Sequence, residues 1–208
     1  NVAELDGLSP AEIEAAAGAA KARKLDGKWV IPLVNTTGQA LVAQLELDVL
    51  LQQVTDAGTQ LSGAQFGAFF YNATNEEGEV FRLYTLSGAP REAFEKFGHP
   101  RATPLFGPTF HGAPPTRIDD VLADPRYGRM GPHHGLPSGH LPVRSFLAVP
   151  VISPSGVPIG GLFFGHPDVG IFTERTERII SGIAAQAGVA IDNARLYEAV
   201  KRGAAERE

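Results

Sequence analysis

Residues 132–142 read PHHGLPSGHLP, and the apolar run VRSFLAVPVI follows at once. Imidazole nitrogens are ligands for zinc and other divalent ions, so His133, His134 and His140 form one candidate metal set. His140 alone is a sound axial ligand for haem iron. Ser138, two residues before His140, raises nucleophilic hydrolysis. No G-x-S-x-G elbow surrounds it, however, and Ser and His two apart on a turn do not normally meet in triad geometry. His133 and His134 are adjacent rather than four apart, so they cannot share one helical face as zinc ligands do in HExxH. The plainer reading of all three is preferred: solvated or backbone-bonded loop histidines. Arg144 either grips an anionic ligand in a bidentate contact or ties the loop to Asp119 or Asp120. Phe106, Phe110, Tyr127 and Phe163 either line an apolar cavity or belong to ordinary core.

Composition narrows these options. The chain has 208 residues, 43% of them hydrophobic, which suits one domain with or without an appendage. A net charge of −5 offers no basic field for nucleic acid or an anionic membrane surface. There is no cysteine. Thiolate metal sites, disulfides, cysteine nucleophiles and thioether-linked cofactors such as a covalent bilin are thereby excluded. No stretch approaches the roughly 18 apolar residues of a membrane span, and no signal pattern opens the chain; a cytoplasmic location is expected.

The elements that must position these residues follow from periodicity and turn chemistry. Residues 9–25, SPAEIEAAAGAAKARKL, predict a helix with a capping box (Ser9, Pro10, Glu12) and a basic last turn at Lys21, Arg23 and Lys24, stopped at Asp26–Gly27. KWVIPLV (28–34) reads as a strand that Pro32 confines to an edge, and NTTGQ (35–39) as a turn. Residues 46–63 predict a helix with Leu47, Leu50, Leu51, Val54 and Leu61 on one stripe. AQFGAFFYN (64–72) and EVFRLYTLSG (79–88) form a hairpin, and residues 90–98 a short helix. TRIDDVLADPRYG (116–128) offers a short strand and a turn limited by Pro125. SFLAVPVI (145–152) and VPIGGLFFGH (157–166) are strands around Pro154–Ser155–Gly156. A long helix follows over 172–202, capped by Thr173. The resulting fold class is α/β in the α+β sense: a central, mainly antiparallel sheet with helices on one face and a short N-terminal helical appendage. The connection from 89 to 144 is long and poor in regular structure, as loops over functional surfaces are.

Two stretches resemble known families. LSPAEIEAAAGAAKARKLDGKWVIPLVNTTGQ, within residues 1–44, resembles a stretch of the dipeptidyl carboxypeptidase and oligopeptidase A metallopeptidases. HExxH is absent, so no peptidase activity is carried over, and a fragment joined in frame to another gene is expected. Residues 45–202 resemble a GAF domain of bacterial signalling proteins. FGAFFYN, ATPLFGPTFHG, TRIDDVLADPRYG, HLPVRSFLAVPV, GVPIGGLFFGH and FTERTERIISGIAAQAGVAIDNARLY carry the likeness. It implies a sheet with helices on one face and a ligand pocket roofed by loops on the other. Residues 203–208 form a tail, and no output domain is expected within these 208 residues.

The resemblance implies a non-catalytic sensor of an unidentified small molecule. The methionine-sulfoxide reductases on this fold need cysteine. GHPDVGIFTE (165–174) has Phe172 but no Asn-Lys pair, which speaks against a cyclic nucleotide. His140–Leu141–Pro142–Val143–Arg144–Ser145–Phe146–Leu147 is similar to a pattern in haem-binding GAF sensors, yet related sequences occur in modules without haem. The cofactor stays open between none, haem and a divalent metal. The alternatives to a sensor are a metal- or His-assisted hydrolase using the 99–144 loops, a haem-based sensor, and a ligand-free dimerisation module. Ile180, Ile183, Ala187, Ala190, Ala194 and Tyr197 repeat at heptad spacing, which predicts a homodimer through the terminal helices.

Overall fold

The computed structural model describes residues 2–4, 23–25, 28–32, 36–75, 78–95, 97, 102–131 and 133–205. The chain divides into two compact units, residues 1–46 with 198–208 and residues 47–197. In the first, β1 (Val2–Glu4), β2 (Arg23–Leu25) and β3 (Lys28–Pro32) pair antiparallel in the order β1-β3-β2. β3 is therefore the central strand, not an edge. Pro32 is its last residue, where the missing N–H costs the ladder least. Residues 23–25, expected at the end of a helix, are strand. The remainder of that helix, with Ser9, Pro10, Glu12 and Lys21, lies outside the described residues, as does the Asp26–Gly27 stop.

Helix α1 runs from Thr36 to Ser62, so the expected turn at 36–39 is helical. Gly38 near its start costs about 1 kcal/mol against alanine, which the good helix formers after it outweigh. The stripe that α1 buries also differs from the apolar pattern. Leu51 is buried and Leu47 and Val54 pack beside it, while Leu50 and Leu61 face outward. Thr55, Thr59 and Ser62 complete the buried stripe. Their hydroxyls are satisfied locally: Thr55 donates to the Leu51 carbonyl at 2.8 Å and Thr59 to the Thr55 carbonyl at 2.7 Å. Thr55 and Thr85 also share a 2.6 Å bond from helix to sheet.

The second unit is built on a five-stranded sheet. Strands β4 (Phe66–Asn75), β5 (Gly78–Ser87), β6 (Thr116–Ile118), β7 (Ser145–Ile152) and β8 (Pro158–His166) lie in the order β5-β4-β8-β7-β6, every neighbouring pair antiparallel. Short helices α2 (Glu92–Glu95) and α3 (Gly107–Phe110) and a 3-10 turn at Val121–Ala123 punctuate the long connection. Helix α4 (Glu174–Ala205) closes the order. Thr173 caps α4, accepting from the Thr176 N–H at 3.2 Å while the Thr176 hydroxyl accepts the Thr173 N–H at 2.7 Å.

Period-two alternation sends successive residues to opposite faces of this sheet. Phe69, Leu147, Val149, Leu162 and Phe164 meet α1 and α4 in one core. Ala68, Phe70, Phe146, Ala148 and Phe163 face the other way and meet Phe81, Phe110, Ile118 and Val121 in a second. The residues that α4 buries are Ile180, Ala184, Ala187 and Ile191. Two members of the expected dimer seam, Ile180 and Ala187, thus belong to the protein's own core. Ile183 packs beside them, Ala190 and Ala194 are half-buried, and the Tyr197 side chain lies outside the described ones.

Close approach of α4 to β7 depends on Gly188. A Cβ built there would stand 2.2 Å from the Ile152 carbonyl oxygen, a backbone atom that cannot swing aside. At Gly182 on the same helix a Cβ would meet nothing within 4 Å. Gly188→Ala is therefore expected to destabilise by about 1–3 kcal/mol. Gly182→Ala is expected to stabilise by about 0.5–1 kcal/mol. Urea unfolding of the two variants checks the opposite signs; equal effects would place the α4–β7 contact elsewhere.

Candidate functional site

A cavity of about 670 Å³ lies on the sheet face opposite α1 and α4. Its buried floor is Phe66, Ala68 and Phe70 of β4, Phe146 of β7 and Phe163 of β8, with Val121 beside them. Rings set its shape. Phe106 stacks on Phe163 at 4.1 Å, and Phe70 meets both edge-on at 5.5 and 5.6 Å. Leu105, Phe106 and Val143 supply one wall, and Phe94 and Phe97 another.

The roof is the chain from Arg126 to His140. It holds its own shape through short-range bonds. The Tyr127 hydroxyl accepts from the Leu136 N–H at 3.2 Å, and Gly135 lies so close to that ring that a Cβ would stand 2.8 Å from the hydroxyl oxygen. His134 sits in the left-handed region at φ 48, where its N–H bonds the Met130 carbonyl and its Nδ1 the Gly128 carbonyl at 3.2 Å. A carbonyl only accepts, so Nδ1 carries the proton there.

The expected site residues separate in the structure. Phe106, Tyr127, His140 and Phe163 all line the cavity. Phe110 does not. It is 1% exposed and stacks on Phe81 at 3.7 Å, behind the wall. Arg144 does not either: its guanidinium makes a bidentate pair with Asp120, Nε to Oδ1 at 2.7 Å and the terminal nitrogen to Oδ2 at 2.5 Å. Its N–H bonds the His166 carbonyl and its carbonyl the Val121 N–H, both at 2.7 Å. Arg144 clasps the loop to the sheet, the structural one of its two expected roles.

The structure does not bring His133, His134 and His140 together. Among the described residues, no three His, Asp or Glu side chains are grouped so as to hold a metal ion. His133 and His134 are exposed on the roof. His140 lies within a cage of rings, 5.1 Å from Phe94, 5.5 Å from Phe97 and 6.3 Å from Phe66, with Nδ1 bonded to the Leu141 carbonyl at 2.7 Å. That is the packing of a core histidine. Ser138 is exposed on its turn, while the His140 Nδ1 is directed to the Leu141 carbonyl.

Sequence reading passed over several wall residues. Phe94 and Phe97 lie in what read only as a short helix, and nothing in the sequence pattern singled out Arg91, Arg126 or Arg129. Isolated aromatics in the 99–115 stretch were the available signal, and it pointed to Phe106 alone of the cavity rings there. Ser145 was also missed. It is wholly buried, donates to the Asp168 carbonyl at 2.6 Å and accepts from the Ile171 N–H at 3.1 Å, pinning the β8–α4 connection.

Two carboxylates fix the loop. The Arg144 guanidinium beside Asp120 holds its carboxyl below the ordinary value of 3.8, and Arg126 does the same for Asp124. A carboxyl with a depressed pKa in the folded state contributes stability above its unfolded value and loses it as pH falls through the folded one. Wild type is thus expected to lose stability as pH falls below 3.8, and Asp120→Asn with Asp124→Asn to flatten that acid limb while lowering stability at neutral pH. Urea midpoints at neutral and acid pH check it; parallel curves would refute it.

Comparison with known proteins places the chain. A stretch of 45 residues is 49% identical to dipeptidyl carboxypeptidase of Escherichia coli (strain K12), covering 22% of this chain and only 7% of that protein. The chain is similar in fold to the GAF domain of a phosphoenolpyruvate-protein phosphotransferase from Coxiella burnetii: TM-score 0.60, 20% identity, 79% of this chain and 97% of that one. It is also similar to the GAF-B domain of DevS from Mycobacterium smegmatis, with TM-score 0.53, 19% identity, and 75% and 98% covered. Residues 44–192 match the profile of the GAF domain family. With the sheet order, the helices on one face and the loop-roofed cavity on the other, that match decides the assignment: the chain belongs to the GAF domain family.

Proposed function

We propose that this GAF domain is the small-molecule sensor of a bacterial signal-transduction protein, binding its ligand in the cavity beneath residues 126–140 and performing no chemistry on it. GAF domains commonly serve as sensor or regulatory modules in signalling proteins. The observation that carries the reading is the cavity itself. Its 670 Å³ falls within the range of pockets for drug-sized ligands, and its floor is aromatic and buried. The expected ligand contacts that lie on its wall are Phe106, Tyr127, His140 and Phe163.

N-phenyl-1-naphthylamine, a neutral fluorophore that brightens in apolar surroundings, tests the reading. Its emission is expected to rise saturably at one probe per chain. Ala68→Trp, which fills the floor, is expected to abolish the rise while circular dichroism stays unchanged. Non-saturable emission, or emission indifferent to a folded Ala68→Trp protein, would overturn the proposal.

We further propose a homodimer through the terminal helices. The face available for it is the one α4 leaves exposed: Ala185, Val189 and Leu196, with Val189 46% and Leu196 60% exposed. Residues 189 and 196 are one heptad apart, so they share a stripe. Val189→Glu with Leu196→Glu is expected to convert a dimer to a monomer in light scattering at tens of micromolar. A monomeric wild type, or a dimer unaffected by both charges, would refute it. No described helix is long and apolar enough to cross a membrane.

A further inference from the structure

The residues around the cavity sort by charge as well as by depth. Its buried lining is apolar: Phe66, Phe70, Phe146 and Phe163 are all under one-tenth exposed. Its solvent-facing lining includes Arg82, Arg91 and Arg129, all exposed, and Arg126, whose side chain is 40% exposed. Among the described residues no aspartate or glutamate lines the cavity. The remaining polar side chains on its wall, Thr103, Tyr127, His133 and His140, carry no negative charge.

Three of these four arginines are anchored in different ways. Arg126 is neutralised by Asp124, with Nε–Oδ1 at 2.9 Å and a terminal nitrogen–Oδ2 contact at 2.7 Å. Arg91 reaches across to the edge of the sheet and donates to the Leu83 and Tyr84 carbonyls, both at 3.1 Å. Arg129 donates Nε to the Pro125 carbonyl at 2.6 Å, and among the described residues no carboxylate lies within ion-pair distance of it. A carbonyl anchor orients the Arg129 guanidinium without cancelling its charge. Among the described residues, the rim therefore carries the positive charges of Arg82 and Arg129, with no carboxylate at ion-pair distance of either, over a buried aromatic floor.

We infer that the ligand is an amphipathic organic anion: a planar or aromatic body that stacks on Phe106 and Phe163, and one acidic group that meets the guanidinium rim. This inference names the ligand class of the site proposed above and rests on that site binding a small molecule at all. A guanidinium–carboxylate contact is charge-assisted and bidentate-capable. A neutral body of the same shape would leave the rim charge without a partner. A cationic one would meet like charge there. A carboxylate seated at the rim keeps part of its hydration, so its desolvation cost stays well below that of a fully buried ion.

Displacement of N-phenyl-1-naphthylamine by three isosteric probes tests it: 2-naphthoate, 2-naphthalenemethanol and 2-naphthylmethylamine. The carboxylate is expected to displace the fluorophore about tenfold more tightly than the alcohol. The amine is expected to be the weakest of the three. The preference is expected to shrink with added salt, as rim charge is screened. Arg129→Gln should reduce the carboxylate's advantage several-fold and leave the alcohol unchanged. Asp124→Asn should act in the opposite direction, raising carboxylate affinity by releasing Arg126 from its partner. A gain of affinity is not what general damage to the loop produces. Equal displacement by acid and alcohol, or a preference indifferent to both substitutions, would overturn the anion inference while leaving the cavity a ligand site. Failure of the fluorophore itself to bind saturably would overturn the site, a result read before any competitor is added.

Discussion

Phe146 and Leu147 are neighbours in β7 and belong to different cores. The same is true of Phe163 and Phe164 in β8 and of Phe69 and Phe70 in β4. A sheet that is apolar on both faces must be covered on both. Helices α1 and α4 cover one face and pack closely there, with Gly188 against β7. No long helix covers the other among the described residues. The cover is instead drawn from the described residues between 91 and 143, whose regular pieces are four residues or fewer. Short pieces joined by Gly- and Pro-rich turns do not fill a face as completely as a helix does. The space left over is the cavity. The proposed ligand site is thus the direct consequence of how the second face of the sheet is closed.

That cover has to be held in place by something other than helix packing. Polar clasps do this work. Arg144 and Asp120 join the start of β7 to the turn after β6, and Ser145 next to them bonds the chain leading into α4. Asp124 bonds the Arg126 N–H and guanidinium, setting the point where the roof departs. Each such pair is exposed enough to contribute little by itself. Their value is positional: Arg144 and Ser145 fix loop residues relative to β7, and Asp124 fixes Arg126 within the loop.

Much of this was legible in the sequence. The two hairpins, the strand 145–152 and the capped terminal helix follow from alternation, turn residues and Thr173, because local chemistry dictates them. The expectation of a covered functional surface between 89 and 144 follows from loop length. The helix stripes were less legible for a physical reason. In α1 the buried positions after Val54 are Thr55, Gly58, Thr59 and Ser62, which carry no hydrophobic signal. Threonine and serine are accommodated because their hydroxyls return to the helix's own carbonyls, and glycine because Phe164 needs its space. In α4 an alanine-rich sequence supports more than one heptad register, and only the burial of Ala184 and Ile191 distinguishes the core-facing one. Within the site, types of residue were readable but directions were not. Phe106 and Phe110 are one helical turn apart, yet one lines the cavity and the other lies behind it.

The two faces of the sheet are mechanically one object. Phe70 lies on the cavity floor, and the next residue, Tyr71, packs on the helix side. There its hydroxyl accepts from Arg195 of α4, whose guanidinium also stands 4.9 Å over the tyrosine ring. At the same place β4 and β5 change register, between Phe69 and Phe70, which puts a local irregularity in the ladder where the floor meets the helix contact. A ring inserted against Phe70 acts on a strand whose adjacent residue holds α4. Phe163 and Phe164 repeat the arrangement one strand over, with Phe164 seated against α1 at Gly58. The floor of the cavity and the seating of both long helices therefore share the same two pairs of neighbouring residues. The covalent bond between the members of each pair is the shortest path from one face of the sheet to the other.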